Sequence, residues 1–269
     1  AMLILTCPGH LRRLEEALRR SLPATLPVLG TVMTVARGNP ASHEVLVDSW
    51  PHFGVVLTRL RPEVLLRDPK DFYTNQLTVY YRDEGAWRAL LGGTEHISGW
   101  DRGPQFHPQV IQQVPNPLLV CSSSPVPPLL GGCGWGGAGR TCRFPSPPYP
   151  NLSALPRSRV PPGLRLAPVS PSHVPLLNAT WAFGRNTRSH RFLLGVVQAL
   201  PSACLLAPHG RPVSWSLLDP LGTLSHGYTL PAWRGQGLSG VTLGALGRVL
   251  HARGFPIYCG VLPHNTPSQ

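Results

Sequence analysis

The chain has almost no lysine, and its later part has almost no acid. Lys70 is the only lysine, and Asp219 is the only acidic residue among residues 102–269, which carry 13 arginines. Residues 1–101 hold eleven basic and eleven acidic side chains, so the net charge of +12 arises in the later part. These arginines form neither a run nor a helical stripe. Because nucleic-acid binding needs clustered positive charge, we expect no nucleic-acid partner and favour a phosphorylated ligand.

Paired cysteine motifs and membrane-length apolar runs are also missing. The six cysteines contain no CxxC pair and no zinc-ligand spacing with the histidines. We therefore expect free thiols in a reducing compartment and no bound metal. Gln198, Pro201 and Ser202 interrupt the longest apolar region, residues 192–207, and no signal peptide is recognisable at the amino terminus. These features predict an intracellular soluble protein without a membrane span.

Residues 1–112 are predicted to form an α/β lobe. Leu11, Leu14 and Leu18 recur at helical spacing, and Pro23 ends that helix. An apolar run over residues 28–36 predicts a strand, closed by turn residues at 37–40. Shorter patterns predict strands at 44–48, 54–58 and 77–81 and a helical piece at 87–91.

Residues 113–168 differ in composition from both flanking regions. Thirteen prolines lie between residues 115 and 168, together with a glycine-rich tract at 131–137. Such a segment cannot bury enough apolar surface to offset the entropy that ordering would cost. We therefore predict a disordered insert, with a linker or a proline-rich ligand segment as the alternatives.

Residues 169–269 are predicted to form a second lobe with element order ααβββαβ. Helices are predicted at 173–183, 189–200 and 236–253, and strands at 203–207, 212–218, 223–230 and 256–261. The segment Leu230–Ser239 joins a strand to a helix and contains two glycines. Helix amino termini and glycine-rich backbone favour anions, so a pyrophosphate is the expected guest. The segment matches neither GxGxxG nor a P-loop, and no GxSxG motif supports a serine hydrolase.

This loop, read as Arg-x-x-Gly-x-Ser from Arg234, resembles the pyrophosphate loop of the GNAT acyltransferases. Further ordered motifs resemble the glycine N-acyltransferase family over roughly residues 1–112 and 170–265. The resemblance implies an α/β fold of tandem GNAT-like lobes around mixed sheets, with the carboxyl-terminal lobe truncated at Gln269. The motifs that carry it are Gly30–Met33, Arg37–Pro40, Val47–Pro51, Tyr73–Asn75, Trp181–Gly184, Arg188–Ser189, Pro212–Ser216 and His226–Pro231.

The resemblance also implies a reaction. Acyl-CoA would be the co-substrate and glycine the acceptor amine, with no permanently bound cofactor. The alternative is an inactive remnant that still binds acyl-CoA. The family resemblance implies a mitochondrial location, whereas acyl-chain length and oligomeric state are left open.

The same resemblance assigns residues to the coenzyme A site. Backbone groups near Tyr228, Thr229 and Leu230 would hold the pantetheine and the thioester. Asn265 would contact coenzyme A, and Trp233 could line an acyl pocket. The pyrophosphate would lie against Arg234 and the backbone N–H groups of Gly235, Gln236, Gly237, Leu238 and Ser239.

The proton acceptor departs from the family pattern. Thr223 stands where the family's glutamate base is expected, and a threonine cannot act as a base near neutral pH. His226 has a suitable pKa and is the candidate catalytic residue. Residues 223 and 226 point to opposite faces of a regular strand, so a β-bulge would be needed to bring His226 to the site.

Overall fold

The computed structural model describes residues 2–67, 76–82, 85, 109–113 and 159–258. They fall into two compact units, one within residues 2–113 and the other within residues 159–258. The first unit contains a five-stranded sheet and the second a four-stranded sheet. The predicted α/β fold with two lobes is therefore confirmed. None of the helices in these ranges has the length and apolar character that a membrane crossing requires.

The first unit has a mixed sheet in the order β1-β2-β3-β4-β5. Its neighbouring strands are antiparallel except for β4 and β5, which are parallel. The predicted first helix and the strands near 44–48, 54–58 and 77–81 are confirmed, whereas 87–91 lies outside the described residues. The elements are β1 (Leu3–Ile4), α1 (Pro8–Arg19), α2 (Leu26–Val35), β2 (His43–Val47), β3 (Val55–Leu60), α3 (Pro62–Arg67), β4 (Gln76–Tyr81) and β5 (Gln109–Gln113).

The strand predicted over residues 28–36 is wrong, because this segment is the helix α2. Every residue from Leu26 to Thr34 is buried, and α2 packs against β2, β3 and β4. An apolar run buried on all sides has no polar face, so its periodicity cannot separate a buried strand from a buried helix. The hydroxyl of Thr31 donates to Pro27 O at 2.8 Å, which satisfies a polar group inside this apolar helix.

The second unit has a four-stranded sheet in the order β6-β7-β8-β9, and its described strand pairs are all antiparallel. Mixed sheets were predicted for both lobes. Within the described ranges, only the sheet of the first lobe contains both parallel and antiparallel strand pairs. The predicted αα-βββ-α order is confirmed. The elements are β6 (Arg165–Ala167), α4 (Val174–Thr180), α5 (Thr187–Ala199), β7 (Ser202–Leu206), β8 (Pro212–Leu218), β9 (Leu224–Thr229) and α6 (Leu238–Ala252).

Two boundaries of the second lobe differ from those predicted. Residues 165–167 fall in the predicted insert, yet they form β6, which pairs with β7. Three residues are too few to show alternation, so pairing rather than local pattern makes this strand. The described part of the predicted strand 256–261 is not a strand, although Tyr258 O accepts a hydrogen bond from Leu224 N at 2.9 Å. Residues 114–158 lie outside the described residues, so their disorder stays a prediction.

The core of the second unit lies around β8. All seven residues of β8 are buried, so both faces of the sheet are covered at this strand. Helix α6 packs on β7, β8 and β9, and α5 contacts β8. The hydroxyls of Ser216 on β8 and Thr242 on α6 are hydrogen-bonded at 3.1 Å. A buried polar pair satisfied in this way fixes the position of α6 over the sheet.

The turn between α4 and α5 places an aromatic side chain next to β9. Gly184 N donates to Trp181 O, and Arg185 N donates to Asn178 O, each at 3.0 Å. A Cβ atom on Gly184 would lie 2.0 Å from Asn178 O, so only glycine fits. This close backbone approach sets the position of Trp181, whose ring contacts His226 on β9.

We predict that Gly184→Ala destabilises the protein, because the new methyl group must displace a backbone carbonyl. The expected loss in the free energy of unfolding is about 1–3 kcal/mol, measured by urea denaturation followed by tryptophan fluorescence. Gly244→Ala in α6 is the matched control, because its added Cβ meets only the flexible end of Arg248. That control should gain up to about 1 kcal/mol from helix propensity. Equal stabilities of the two variants would contradict the prediction.

Candidate active site

The segment between β9 and α6 forms an open loop. Leu230 N donates to Val213 O at 2.9 Å, which ties the start of the loop to β8. A short 3-10 turn follows over Pro231–Trp233. Gly235 and Gly237 then have φ angles of +76° and +70°, a region that L-residues rarely adopt. The two glycines therefore turn the backbone into α6 without strain.

The loop leaves the amino terminus of α6 uncapped. Gly237 occupies the N-cap position, and no side chain there makes a capping hydrogen bond. The first N–H groups of a helix have no acceptor within it and carry partial positive charge. A Cβ on either Gly235 or Gly237 would meet no atom within 4 Å, so the space beside the loop is open. This arrangement fits a pyrophosphate.

Arg234 is attached to the end of β9. Its Nε donates to Thr229 O at 3.1 Å, and its guanidinium carbon lies 5.4 Å from the ring centroid of Tyr228. The guanidinium is thus held next to the loop while its other nitrogens stay exposed. The structure brings Tyr228, Thr229 and Arg234 together, as the resemblance implied.

Trp233 supports the loop from inside. It is partly buried and packs against a core cluster formed by Leu205, Val213, Leu238 and Val241. This contact couples the loop to both the sheet and α6. A role of Trp233 in lining an acyl pocket stays a prediction.

Strand β9 contains a β-bulge at His226, the feature that the sequence analysis required to bring this side chain to the site. Trp215 pairs with Tyr228 and Leu217 pairs with Ser225, so two residues of β9, His226 and Gly227, stand opposite Ser216 alone. His226 has a φ of +51°. A bulge interrupts the alternation of side chains and releases backbone groups from the ladder. The isolated Gly227 in a strand was the sequence signal for it.

His226 lies among aromatic rings. Its ring centroid is 4.7 Å from that of Trp181, in an edge-on arrangement, and 6.0 Å from that of Phe192. Burial lowers the pKa of His226 to about 4. The imidazole is therefore neutral at physiological pH and carries a free lone pair, although a group with so low a pKa is a weak base.

Asp219 and Thr223 interact at the hairpin end of β8 and β9. Oδ1 of Asp219 accepts hydrogen bonds from Leu221 N at 2.9 Å and Thr223 N at 3.0 Å. Oδ2 accepts one from the Thr223 hydroxyl at 2.6 Å. Burial raises the pKa of Asp219, whereas these hydrogen bonds lower it, and burial has the larger effect.

The structure brings further residues next to the predicted ones, and one predicted site residue is not among those that it describes. Asn265 lies outside the described residues, as does the Tyr73–Asn75 motif. Sequence reasoning missed the contacts of His226 with Trp181 and Phe192 and the hydrogen bond between Asp219 and Thr223. Trp181 and His226 are 45 residues apart in the chain, so no local sequence pattern marks the contact between their rings. Among the described residues, no group of three His, Cys, Asp or Glu side chains could hold a metal ion.

The chain is similar to known acyltransferases along both lobes. Residues 2–115 match the model of a family described as aralkyl acyl-CoA:amino acid N-acyltransferase. Residues 203–269 match the model of the carboxyl-terminal region of that family. Together the two matches cover more than half of the chain.

Individual relatives extend this similarity over nearly the whole chain. Glycine N-phenylacetyltransferase of Bos taurus is 35% identical over 259 residues, which cover 93% of this chain and 86% of the relative. Glycine N-acyltransferase of Bos taurus is 35% identical over 276 residues, covering 100% and 92%. The Homo sapiens glycine N-acyltransferase is 33% identical, with the same coverages.

A solved structure shares the fold. An X-ray structure of a Drosophila protein matches with a TM-score of 0.64 and covers 99% of this chain and 91% of that chain. Its sequence is only 12% identical, so the likeness concerns the fold alone.

We predict that His226 makes stability fall in mild acid. Its pKa is about 4 in the folded chain and 6.5 in the reference state, so below pH 6.5 the unfolded chain takes up the proton first. The lost stability should reach about 3 kcal/mol between pH 6.5 and pH 4. His226→Phe removes this titration. As the pH falls from 6.5 to 4, the free energy of unfolding of this variant should therefore rise relative to that of the wild type. Parallel stability curves for the two proteins would contradict the assignment.

Proposed function

Since the chain belongs to the glycine N-acyltransferase family, we propose that it transfers an acyl group from acyl-CoA to the amine of glycine. The products are an N-acylglycine and free coenzyme A. The observation that carries the proposal is the open glycine loop at the uncapped start of α6, directly after the bulged strand β9. The similarity of both lobes to the relatives favours an active enzyme over an inactive acyl-CoA-binding remnant.

The proposed coenzyme A site uses backbone more than side chains. The N–H groups from Gly235 to Ser239 would bind the pyrophosphate, and Arg234 would add positive charge beside it. Tyr228, Thr229 and Leu230 lead along β9 to that loop. β9 is the last strand of the sheet in the described ranges, and the part of its outer edge beyond the contact of Leu224 N with Tyr258 O would receive the amides of a pantetheine arm.

The proposed reaction takes place where β9 bulges. Attack of the amine on the thioester carbonyl places negative charge on the carbonyl oxygen. The backbone N–H groups of the two bulged residues, His226 and Gly227, could donate to that oxygen. The rate enhancement would come from holding the amine and the thioester together in an arrangement that already matches the transition state.

His226 is our proposed catalytic residue at the bulge. Its imidazole is neutral at physiological pH, because burial lowers its pKa to about 4. A neutral ring can accept a hydrogen bond from the incoming amine without repelling the ammonium.

The family resemblance also supports a mitochondrial location.

The function is tested by thermal unfolding of the full chain with coenzyme A, a short acyl-CoA and a long acyl-CoA. We expect a cooperative transition whose midpoint rises with ligand concentration, as mass action requires. Release of the coenzyme A thiol from an acyl-CoA should then depend on added glycine. Ligand-dependent melting without any glycine-dependent release would instead establish the acyl-CoA-binding remnant.

We predict that Arg234→Ala weakens the binding of coenzyme A about tenfold, the scale of one lost charge-assisted hydrogen bond. The loss should shrink at high salt, because salt screens an exposed charge. Arg253→Ala is the matched control, since Arg253 is equally exposed but follows the opposite end of α6. Titration calorimetry at two salt concentrations measures both variants. Equal weakening in both would show that only net charge matters and would argue against a phosphate contact at Arg234.

A further inference from the structure

Asp219 is a partly buried acid whose carboxylate makes no salt bridge with a described residue. It is the only acid among residues 102–269. Its hydrogen bonds come from neutral donors, two backbone N–H groups and the hydroxyl of Thr223. No arginine is among the main causes of its pKa shift, although arginine is abundant in this lobe. Because a carboxylate that is partly removed from water and has no cationic partner is costly, this environment suits a cation that arrives with a ligand.

The hydroxyl of Thr223 limits what that ligand can be. A hydroxyl has one proton and two lone pairs, and Thr223 gives its proton to Asp219 Oδ2 at 2.6 Å. It can therefore offer only lone pairs to a ligand. A group that binds there must donate a hydrogen, as an ammonium or amine does.

A second hydroxyl stands next to this pair. Ser225 lies two residues after Thr223, which on an extended chain places both side chains on one face. The Ser225 hydroxyl interacts with the Asp219 carboxyl and lowers its pKa, although its buried Oγ makes no hydrogen bond of good geometry in the described part of the chain. The lone pairs of this oxygen are a further acceptor, and Ser225 lies directly before the bulge at His226 and Gly227.

Resting on the proposed function, we propose that Thr223 and Asp219 form a proton relay for the acceptor amine. The relay takes one proton from the substrate ammonium. The ammonium proton passes to Thr223 Oγ1, directly or through one water, while the hydroxyl proton of Thr223 passes to Asp219 Oδ2. The nitrogen becomes a neutral nucleophile, and Asp219 becomes a neutral acid.

The remaining protons are accounted for by the products. The nitrogen attacks the thioester carbonyl, and the C–S bond breaks with its electron pair on sulfur. The second proton of the nitrogen leaves with the coenzyme A thiol. Asp219 then releases its proton to water before the next turnover. No oxidant or reductant is needed.

The environment of Asp219 favours this role. Its burial raises its pKa, which makes the carboxylate a stronger base than an exposed aspartate. The titratable groups nearby are Tyr258, whose hydroxyl donates to Leu221 O at 2.7 Å, and His226 further along β9. Neither is a cause of the pKa shift of Asp219.

Four variants separate a relay from a turn that merely needs Asp219 for its shape. Asp219→Asn keeps an oxygen for the two backbone N–H groups but loses the base. Thr223→Val keeps the size of the side chain but loses the hydroxyl, whereas Thr223→Ser retains it. The double variant Asp219→Asn/Thr223→Val tests whether the two residues act as one unit. The melting shift with acyl-CoA reports whether the loop stays intact in each.

For Asp219→Asn and Thr223→Val we expect kcat/KM for glycine at pH 7 to fall about 10²- to 10³-fold, the usual effect of losing a general base. The double variant should lose no more than either single one, because the groups act in series. Thr223→Ser should stay within about threefold of wild type, since it keeps the hydroxyl. The variants without a relay should regain activity as pH rises, because solution then supplies the free amine.

Three outcomes would overturn the relay. Losses that multiply in the double variant without recovery at high pH would assign both residues a structural role. Wild-type activity in Asp219→Asn, together with high-pH recovery in His226→Gln, would give proton acceptance to His226. A wild-type chain that shifts its melt with acyl-CoA but releases no thiol with glycine would overturn the proposed function and the relay together. In the first two outcomes, activity of the wild type shows that the proposed function stands.

Discussion

The extra residue that β9 inserts opposite Ser216 is the constraint on which the candidate site depends. On both sides of the insertion the β8–β9 ladder is regular, since Trp215 pairs with Tyr228 and Leu217 with Ser225. The bulge therefore divides β9 into two parts, for which we propose different roles. The later part leads into the glycine loop and α6, whereas the earlier part leads back to Thr223 at the hairpin end. The buried strand β8 holds both parts in place.

The fold was predictable where a helix had one apolar face or where turn residues bounded a short apolar run. Helix α1, strands β2 to β4 and most of the second lobe meet one of these conditions, and they were predicted close to their observed bounds. Helix α2 is buried on every side, so its sequence carries no periodicity that distinguishes a helix from a strand. Strand β6 exists because β7 offers it a partner, and a three-residue pattern cannot show this.

The candidate site likewise has parts that the local sequence predicts and parts that depend on tertiary packing. The loop from Arg234 to Ser239 was predictable, because glycine spacing between a strand and a helix is a local signal with a physical meaning. The aromatic surroundings of His226 were not, since Trp181 and Phe192 reach it only through packing of α4 and α5 against the sheet. A register shift decides where His226 points, and Gly227 was its only trace in the sequence. The hydrogen bond between Thr223 and Asp219 likewise depends on the conformation of the turn between β8 and β9.

The two lobes surround a carboxylate in opposite ways. In the first lobe Glu15 is buried, which raises its pKa, but hydrogen bonds from Arg37 at 3.0 Å and Arg19 at 2.7 Å more than reverse that effect. A carboxylate paired in this manner is a poor base, because protonation would break two ion pairs. Asp219 has only neutral donors, so its protonation breaks none. In the proposed site, an arginine-rich lobe whose one acid makes no salt bridge with a described arginine would separate the charge for the pyrophosphate from the base for the amine. That separation is what acyl transfer from an anionic donor to a cationic acceptor requires.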